Sequence, residues 1–223
     1  MKQFLLILAV AATACTFNVN SWNGKRVICK GEVIEKQLDL KDFNAIVVNG
    51  HADITILQAD EFIVSVLANE EVFEYLDYSV NEGSLYIETK DNVNIKAVDK
   101  YEITVSLPCL EDITVNGAAD ALLKDYASDS DLNVKINGAG DLDIYSLNVK
   151  ELSISVNGAG DINAQGIDVE NLKISINGAG DAKLSGKAAS ASFGVSGAGD
   201  IDARNLECGD VQTRKSGAAS IKL

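Results

Sequence analysis

Five aspartates recur at nearly constant spacing: Asp120, Asp141, Asp161, Asp181 and Asp200. Carboxylates repeated in this way could hold Ca²⁺ between neighbouring repeats, because calcium gathers several oxygen ligands at once. Only one carboxylate per repeat is guaranteed, so such a site would be weak. The alternative is that each Asp accepts hydrogen bonds from free N–H groups at its own turn. Some compensation is required. Like charges about 5 Å apart repel by roughly 3 kcal/mol at an effective dielectric of ~20. Lys124, Lys135, Lys173 and Lys183 are candidate counter-ions. Preceding each of the first four aspartates, at the same place in the motif, stands an asparagine: Asn116, Asn137, Asn157 and Asn177. The row continues as Ser196 and Ser216. Stacked side-chain amides bond to one another or to the turn backbone; ligand readout is the competing role.

Other reactive residues are sparse. His51 is the only histidine, which excludes a multi-His zinc site. No Gly-x-Ser-x-Gly nucleophile motif accompanies it, so it is expected as a solvent-facing loop residue rather than a catalytic base. Of four cysteines, Cys109 and Cys208 fall before the first and last regular repeats. Five repeats of strand spacing separate them by about 24 Å, well beyond the roughly 7 Å that a disulfide tolerates. Cys29 with Cys109 stays open as a pair. There is no CxxC and no zinc-ligand spacing. Tyr101, Tyr126 and Tyr145 could stack on glycans but form no cluster in sequence.

The elements that position these residues follow from a repeat. Val115-Asn116-Gly117-Ala118-Ala119-Asp120 returns as Ile136–Asp141, Val156–Asp161, Ile176–Asp181 and Val195–Asp200, with a worn copy at Lys215–Ser220. The first glycines of the copies are Gly117, Gly138, Gly158, Gly178, Gly197 and Gly217. They recur at a nearly constant interval of about 20 residues, a period typical of solenoid arrays. Within a repeat the side chains alternate with period two: Leu172, Ile174, Ile176, Gly178, Gly180, Ala182 and Leu184 share one face. That is strand patterning. A straight strand through a whole such stretch would run about 43 Å, so the chain is expected to bend at Gly-Ala-Gly, where a missing Cβ permits a corner or a close approach. The predicted fold is all-β: a parallel β-helix, or β-solenoid, of coils about 20 residues long. Calcium-binding nonapeptide arrays share the Gly/Asp chemistry but repeat about every nine residues.

Residues 31–110 form a less regular β part. Val47–Ile54 is the same motif with His51 substituted. Gly50 stands more than three repeat intervals ahead of Gly117, so the intervening coils are larger or interrupted. Asn69–Leu76 is expected as a short helix capped by Asn69. Asn81–Ser84 is a hairpin turn. Pro108, the only proline, marks the predicted seam with the regular repeats at 111–223.

Before the fold come Lys2, an apolar run from Phe4 to Ala12, and small residues ahead of Cys15, which together make a secretory signal over residues 1–14. The junction resembles a bacterial lipobox, which implies that Cys15 is lipidated and anchors the chain to a membrane. Ordinary cleavage after Ala14 is the alternative. Thr16, in place of Asp, implies the outer membrane by the same resemblance. Residues 15–30, with Phe17 and Trp22, are expected to be a tether.

The hydrophobic-Asn-Gly-Ala-Gly-Asp copies resemble the family described as "putative auto-transporter adhesin, head GIN domain". Phe43–Gly50 looks like its opening block and Gly83–Ile87 like its middle one. The resemblance covers about residues 33 to 223 and implies a bacterial envelope protein with adhesive function and no established catalytic residues. The composition agrees with a non-nucleic-acid partner. With 19 basic and 33 acidic residues the net charge is −14, and no basic surplus is available to neutralise phosphates. The leading expectation is a non-enzymatic lipoprotein that binds a protein or glycan and needs no cofactor. An envelope scaffold docking a partner at Ser220–Leu223, or a β-helix polysaccharide-active enzyme, are the alternatives.

Overall fold

The computed structural model describes residues 25–29, 31–97 and 100–223. The signal segment 1–14, the lipidation position Cys15, and Phe17 and Trp22 lie outside the described residues. The protein is all-β: among the described residues a thirteen-stranded sheet curls around a continuous core, a separate two-stranded sheet lies at its N-terminal end, and there is a single short 3-10 helix at Glu70–Tyr75.

The regular part begins with β10 (Asp112–Gly117), β11 (Asp120–Ala127) and β12 (Leu132–Ala139). It continues in three long hydrogen-bonded segments: β13 (Leu142–Ala159), β14 (Ile162–Ala179) and β15 (Ala182–Lys222). Every pairing among them is parallel. The first half of β13 pairs with β11 (Leu142 opposite Ala121) and its second half with β12 (Leu152 opposite Leu132). β14 then repeats β13 in register, Leu142 on Ile162 through Ala159 on Ala179. Each turn of chain therefore lies directly on the turn before it.

Three corners bend each turn; one lies at Lys150–Glu151 and Glu170–Asn171, where two successive outward residues separate buried Val149 from Leu152 and buried Val169 from Leu172. Another is the Gly-Ala-Gly-Asp corner, where Gly138, Gly158 and Gly178 have φ of 151°, 147° and 145°. These glycines are required twice over. A Cβ at Gly158 would lie 2.0 Å from the Gly138 carbonyl oxygen, and one at Gly178 would lie 1.9 Å from that of Gly158. The remaining corner falls at Asp125, Ser146 and Gly166, all with positive φ (50°, 62° and 68°). Here the alternation skips a step: Ile144 and Leu147 are both buried, with Tyr145 and Ser146 both outside. The expected bend at Gly-Ala-Gly is present. The ladder, however, is not broken at the glycine corner, since Gly160 N–H still reaches the Ala179 carbonyl at 3.2 Å.

Columns of like residues fill the interior. Val115, Ile136, Val156, Ile176 and Val195 form one, and Ile113, Val134, Ile154, Ile174 and Phe193 another; all are at most 3% exposed. No such residue can bury itself within one turn, so burial comes from stacking.

The N-terminal part joins the same stack. β3 (Ala45–Gly50) pairs in parallel with β10, Gly50 opposite Gly117, and β4 (Asp53–Gln58) pairs with β11, Asp53 opposite Asp120. The long gap between Gly50 and Gly117 is thus an interruption in sequence, not in space. The sheet passes the predicted seam at Pro108 without a break. On the far side of β3 and β4 lie β7 (Ser84–Thr89) and β9 (Tyr101–Leu107), still parallel. Antiparallel strands then end the stack: β6 (Leu76–Asn81) on β7, β5 (Ile63–Asn69) on β9, and β2 (Val33–Leu38) on β5. The hairpin predicted at Asn81–Ser84 joins β6 to β7, with Glu82 and Gly83 both at positive φ. β1 (Lys25–Ile28) pairs with β8 (Val93–Ala97), so strand begins inside the span expected to be tether. Val27, Cys29, Ile95 and Val72 of the 3-10 helix add to the core there.

The helix at Glu70–Tyr75 corrects one expectation. Asn69 makes no side-chain cap. It is fully buried, donating to the Gly31 carbonyl at 2.8 Å and accepting from Lys100 N–H at 3.4 Å. Its amide ties separate loops together, a use that outcompetes capping a two-turn 3-10 helix.

Candidate binding face

Stacking turns the repeated polar residues into rows. The asparagines form a continuous amide ladder. Asn116 donates to Asn49 at 2.8 Å, Asn137 to Asn116 at 2.9 Å, Asn157 to Asn137 at 3.0 Å, and Asn177 to Asn157 at 3.0 Å. Asn49 ends the row by donating to the Glu88 carboxylate. Asn49, Asn116, Asn137 and Asn157 each spend one donor and one acceptor on their neighbours, and Asn177 enters the row as a donor. Asn49 and Glu88 escape sequence reasoning because their spacing departs from the repeat period; the motif likeness of Val47–Ile54 was the available signal.

The aspartates also form a row, extended by Asp53 and, opposite it on β9, Glu102. Their hydrogen bonding differs from the expectation that each Asp serves its own corner. Asp120 accepts from Asp141 N–H at 2.9 Å, Asp141 from Asp161 N–H at 2.9 Å, Asp161 from Asp181 N–H and Asp181 from Asp200 N–H, both at 2.8 Å. Each of these four carboxylates caps the following turn. The reason is geometric: the parallel stack brings the next corner's N–H within reach of Oδ1, leaving the second oxygen to solvent. Lys222 pairs with Asp200 at 3.4 Å. The four lysines expected as counter-ions form no ion pair with the row among the described residues. At its crowded end, Asp53 has its carboxyl pushed above the usual range by burial, Asp120 and Glu102. Among the described residues, no three His, Cys, Asp or Glu side chains converge as metal ligands.

Beside the Asp row, the outer face of the next strands carries a pre-formed polar platform. The Asp143 carboxylate accepts from Tyr145 Oη–H at 3.3 Å and from Asn163 Nδ2 at 2.8 Å. Asn163 also donates to Tyr145 Oη at 3.1 Å, and Gln165 donates to Asn163 Oδ1 at 3.0 Å. Asp202 binds Arg204 through two hydrogen bonds of 2.9 and 2.6 Å, which hold the Asp202 carboxyl well below the usual carboxylate range. A shallow depression of about 380 Å³ runs between the row and the platform, with Asp141, Asp161, Asp181, Asn163, Gln165 and Lys183 along it. The face combines carboxylates, amides and one phenol held in place by each other. It can accept and donate hydrogen bonds along its length.

The remaining candidates fall elsewhere. His51 is exposed in the loop between β3 and β4, as predicted. Tyr145 is the only one of the three tyrosines on a surface. Tyr126 is buried, with its hydroxyl accepting from Leu110 N–H at 2.7 Å and donating to the Leu110 carbonyl at 3.0 Å. Tyr101 is buried against Tyr78, and burial pushes its phenol up to about 12. Cys29, Cys109 and Cys208 are all unpaired. Burial and the nearby Glu71 and Glu74 push the Cys29 thiol up, and burial and Asp210 do the same for Cys208, so neither is a thiolate nucleophile at neutral pH.

A repetitive, all-β head with stacked Asn-Gly and Asp rows defines the class, and comparison with known proteins agrees. The family model described as "Putative auto-transporter adhesin, head GIN domain" matches residues 42–167 and 147–223. The chain belongs to that family. No curated protein sequence matches it. Among solved structures, a "putative lipid binding protein" from Parabacteroides distasonis is similar at a TM-score of 0.76 and 21% identity, covering 89% of this chain and 96% of that one. A "putative adhesin" from Bacteroides fragilis aligns at a TM-score of 0.67 and 18% identity, covering 88% and 99%. At these identities the likeness is one of fold. No helix among the described residues is long and apolar enough to cross a membrane.

Proposed function

We propose that this protein is a non-enzymatic cell-envelope lipoprotein of adhesin type, a β-solenoid that presents one repetitive polar face to a protein or glycan ligand. Its organisation follows the sequence: signal segment 1–14, anchor at Cys15, and a tether leading to the stacked head. Turn-on-turn parallel register supports the solenoid reading, and membership of an adhesin family favours binding over catalysis. The observation that carries the binding role is the Asp143–Tyr145–Asn163–Gln165 network beside the Asp row. Its donors and acceptors are fixed before any ligand arrives, which lowers the ordering cost of binding.

Protease shaving of intact cells tests the location, with lysed cells and a Cys15→Ala variant as controls. Cleavage in intact cells is expected; protection there with cleavage after lysis overturns surface adhesion. Arrays of glycans and host glycoproteins test the face. A signal from the native chain that Asp143→Ala/Asn163→Ala abolishes is expected, and a signal indifferent to that double variant moves the site elsewhere.

A further inference from the structure

The two ends of the stack are not alike. At the N-terminal end the antiparallel strands β2 and β6, the 3-10 helix and the β1–β8 pair close over the core. At the other end the last turn is uncovered among the described residues. The alignment of Gly217 on Gly197 and of Gly209 against Ala189 places Val211, Thr213 and Lys215 over Ala191, Phe193 and Val195. Ala191, Phe193 and Val195 are buried; Thr213 and Lys215 are exposed and Val211, Leu206 and Ile221 only half-buried. This end carries an open strand edge, the feature that most readily recruits another strand.

Three observations say what fits it. First, the last turn carries no net acidic excess. Arg204, Arg214, Lys215 and Lys222 balance Asp200, Asp202, Glu207 and Asp210, in a chain whose formal charge is −14. Two copies repel one another over most of their surfaces but not here. Second, Asp210 and Arg214 are exposed and form no ion pair among the described residues. Third, Asp210-Val211-Gln212-Thr213-Arg214 is complementary to itself when reversed. Run antiparallel about Gln212, it sets Asp210 opposite Arg214, Val211 opposite Thr213, and Gln212 opposite its own copy. Opposite charges directly across an antiparallel pair are stabilising. A patch in which residue i meets j and j meets i is the signature of a closed two-fold interface.

We infer that two copies of this chain associate tail to tail, their Asp210–Arg214 segments paired antiparallel across a two-fold axis at Gln212. The occupant of the open edge is a second copy of the same edge. A two-fold contact uses up this edge on both copies at once, so the assembly closes at two. This inference is independent of what the side face binds.

The axis residue gives a direct test. In an antiparallel pair, opposed Cα atoms lie about 4.5–5.5 Å apart, within disulfide range. Gln212→Cys in the full chain, in isolated membranes under mild oxidant, is expected to form a reducible dimer, whereas Gln165→Cys on the side face is not. Sedimentation of the purified full chain in density-matched detergent provides the second readout. The native chain is expected at twice the protomer mass. Asp210→Arg and Arg214→Asp should each weaken self-association at least tenfold. Mixed together those two variants should pair with one another, since each then faces the opposite charge at both contacts. A native chain that stays monomeric, a Gln212→Cys chain that cross-links no better than Gln165→Cys, or charge variants that fail to recover on mixing would overturn the inference.

Discussion

Replacing Gly158 by alanine tests whether the corner glycines are structural necessities. At φ 147° an L-residue is strained, and the added Cβ would sit 2.0 Å from the Gly138 carbonyl oxygen, with more of the Gly138 backbone close behind. Holding a side chain in a Gly-only backbone region costs about 1–3 kcal/mol. Forcing a methyl group into a packed site costs about 1–3 kcal/mol more. Gly158→Ala is therefore expected to destabilise by about 4 kcal/mol, a fall in melting temperature of roughly 8–16 °C for a domain of this size. Gly194 supplies the control in the same stack. Its backbone needs no positive φ, and an added Cβ finds its nearest neighbour at 3.9 Å, the Ile174 carbonyl oxygen. There, alanine is expected to be neutral or to stabilise by about 0.4–1 kcal/mol, through the unfolded chain. Thermal melts followed by circular dichroism compare the two. Equal melting temperatures for Gly158→Ala and Gly194→Ala would refute the close-approach argument.

Two further perturbations probe the polar interior and the Asp row. Tyr126→Phe removes the hydroxyl that satisfies both the N–H and the carbonyl of buried Leu110; urea unfolding is expected to show a loss of about 1–3 kcal/mol, the cost of stranding buried polar groups. Asp53→Asn should raise stability at neutral pH. The folded-state carboxyl titrates above its unfolded value, so ionisation opposes folding increasingly as pH rises through that folded pKa, and the gain should vanish below about pH 3.8, where both states are protonated. Melting temperatures of both proteins from pH 3 to 7 check the sign, and a gain that grows as pH falls would contradict it.

Much of the regular part was legible because stacking translates a sequence period directly into columns. Once Gly117, Gly138, Gly158 and Gly178 recur at a near-constant interval, their neighbours must align, and the Asn ladder follows. What stayed hidden has physical reasons. The corner at Asp125, Ser146 and Gly166 shares a backbone angle, not a residue type; its only trace is the skipped alternation between Ile144 and Leu147. Asn49 and Asp53 join their rows across a long interruption in sequence because β3 and β4 are a stacked turn like any other. The Asp side chains reach the next turn's N–H groups, a contact that depends on the distance between turns and leaves no mark on local spacing. Asn69 had the right identity for a helix cap, but tertiary partners claimed its amide.

The register also makes the repeats interchangeable parts. Excising residues 138–157 would join Asn137 to Gly158 and set Gly158 on Gly117, with glycine still over glycine, asparagine over asparagine and isoleucine over valine. Neither the closed end nor the final turn would meet an unfamiliar neighbour. The head can therefore grow or shrink by whole turns, each changing its height by about 4.8 Å. Unequal recombination within the gene supplies such changes in a single event. Its height is thus a trait that can drift or be selected independently of the chemistry at either end.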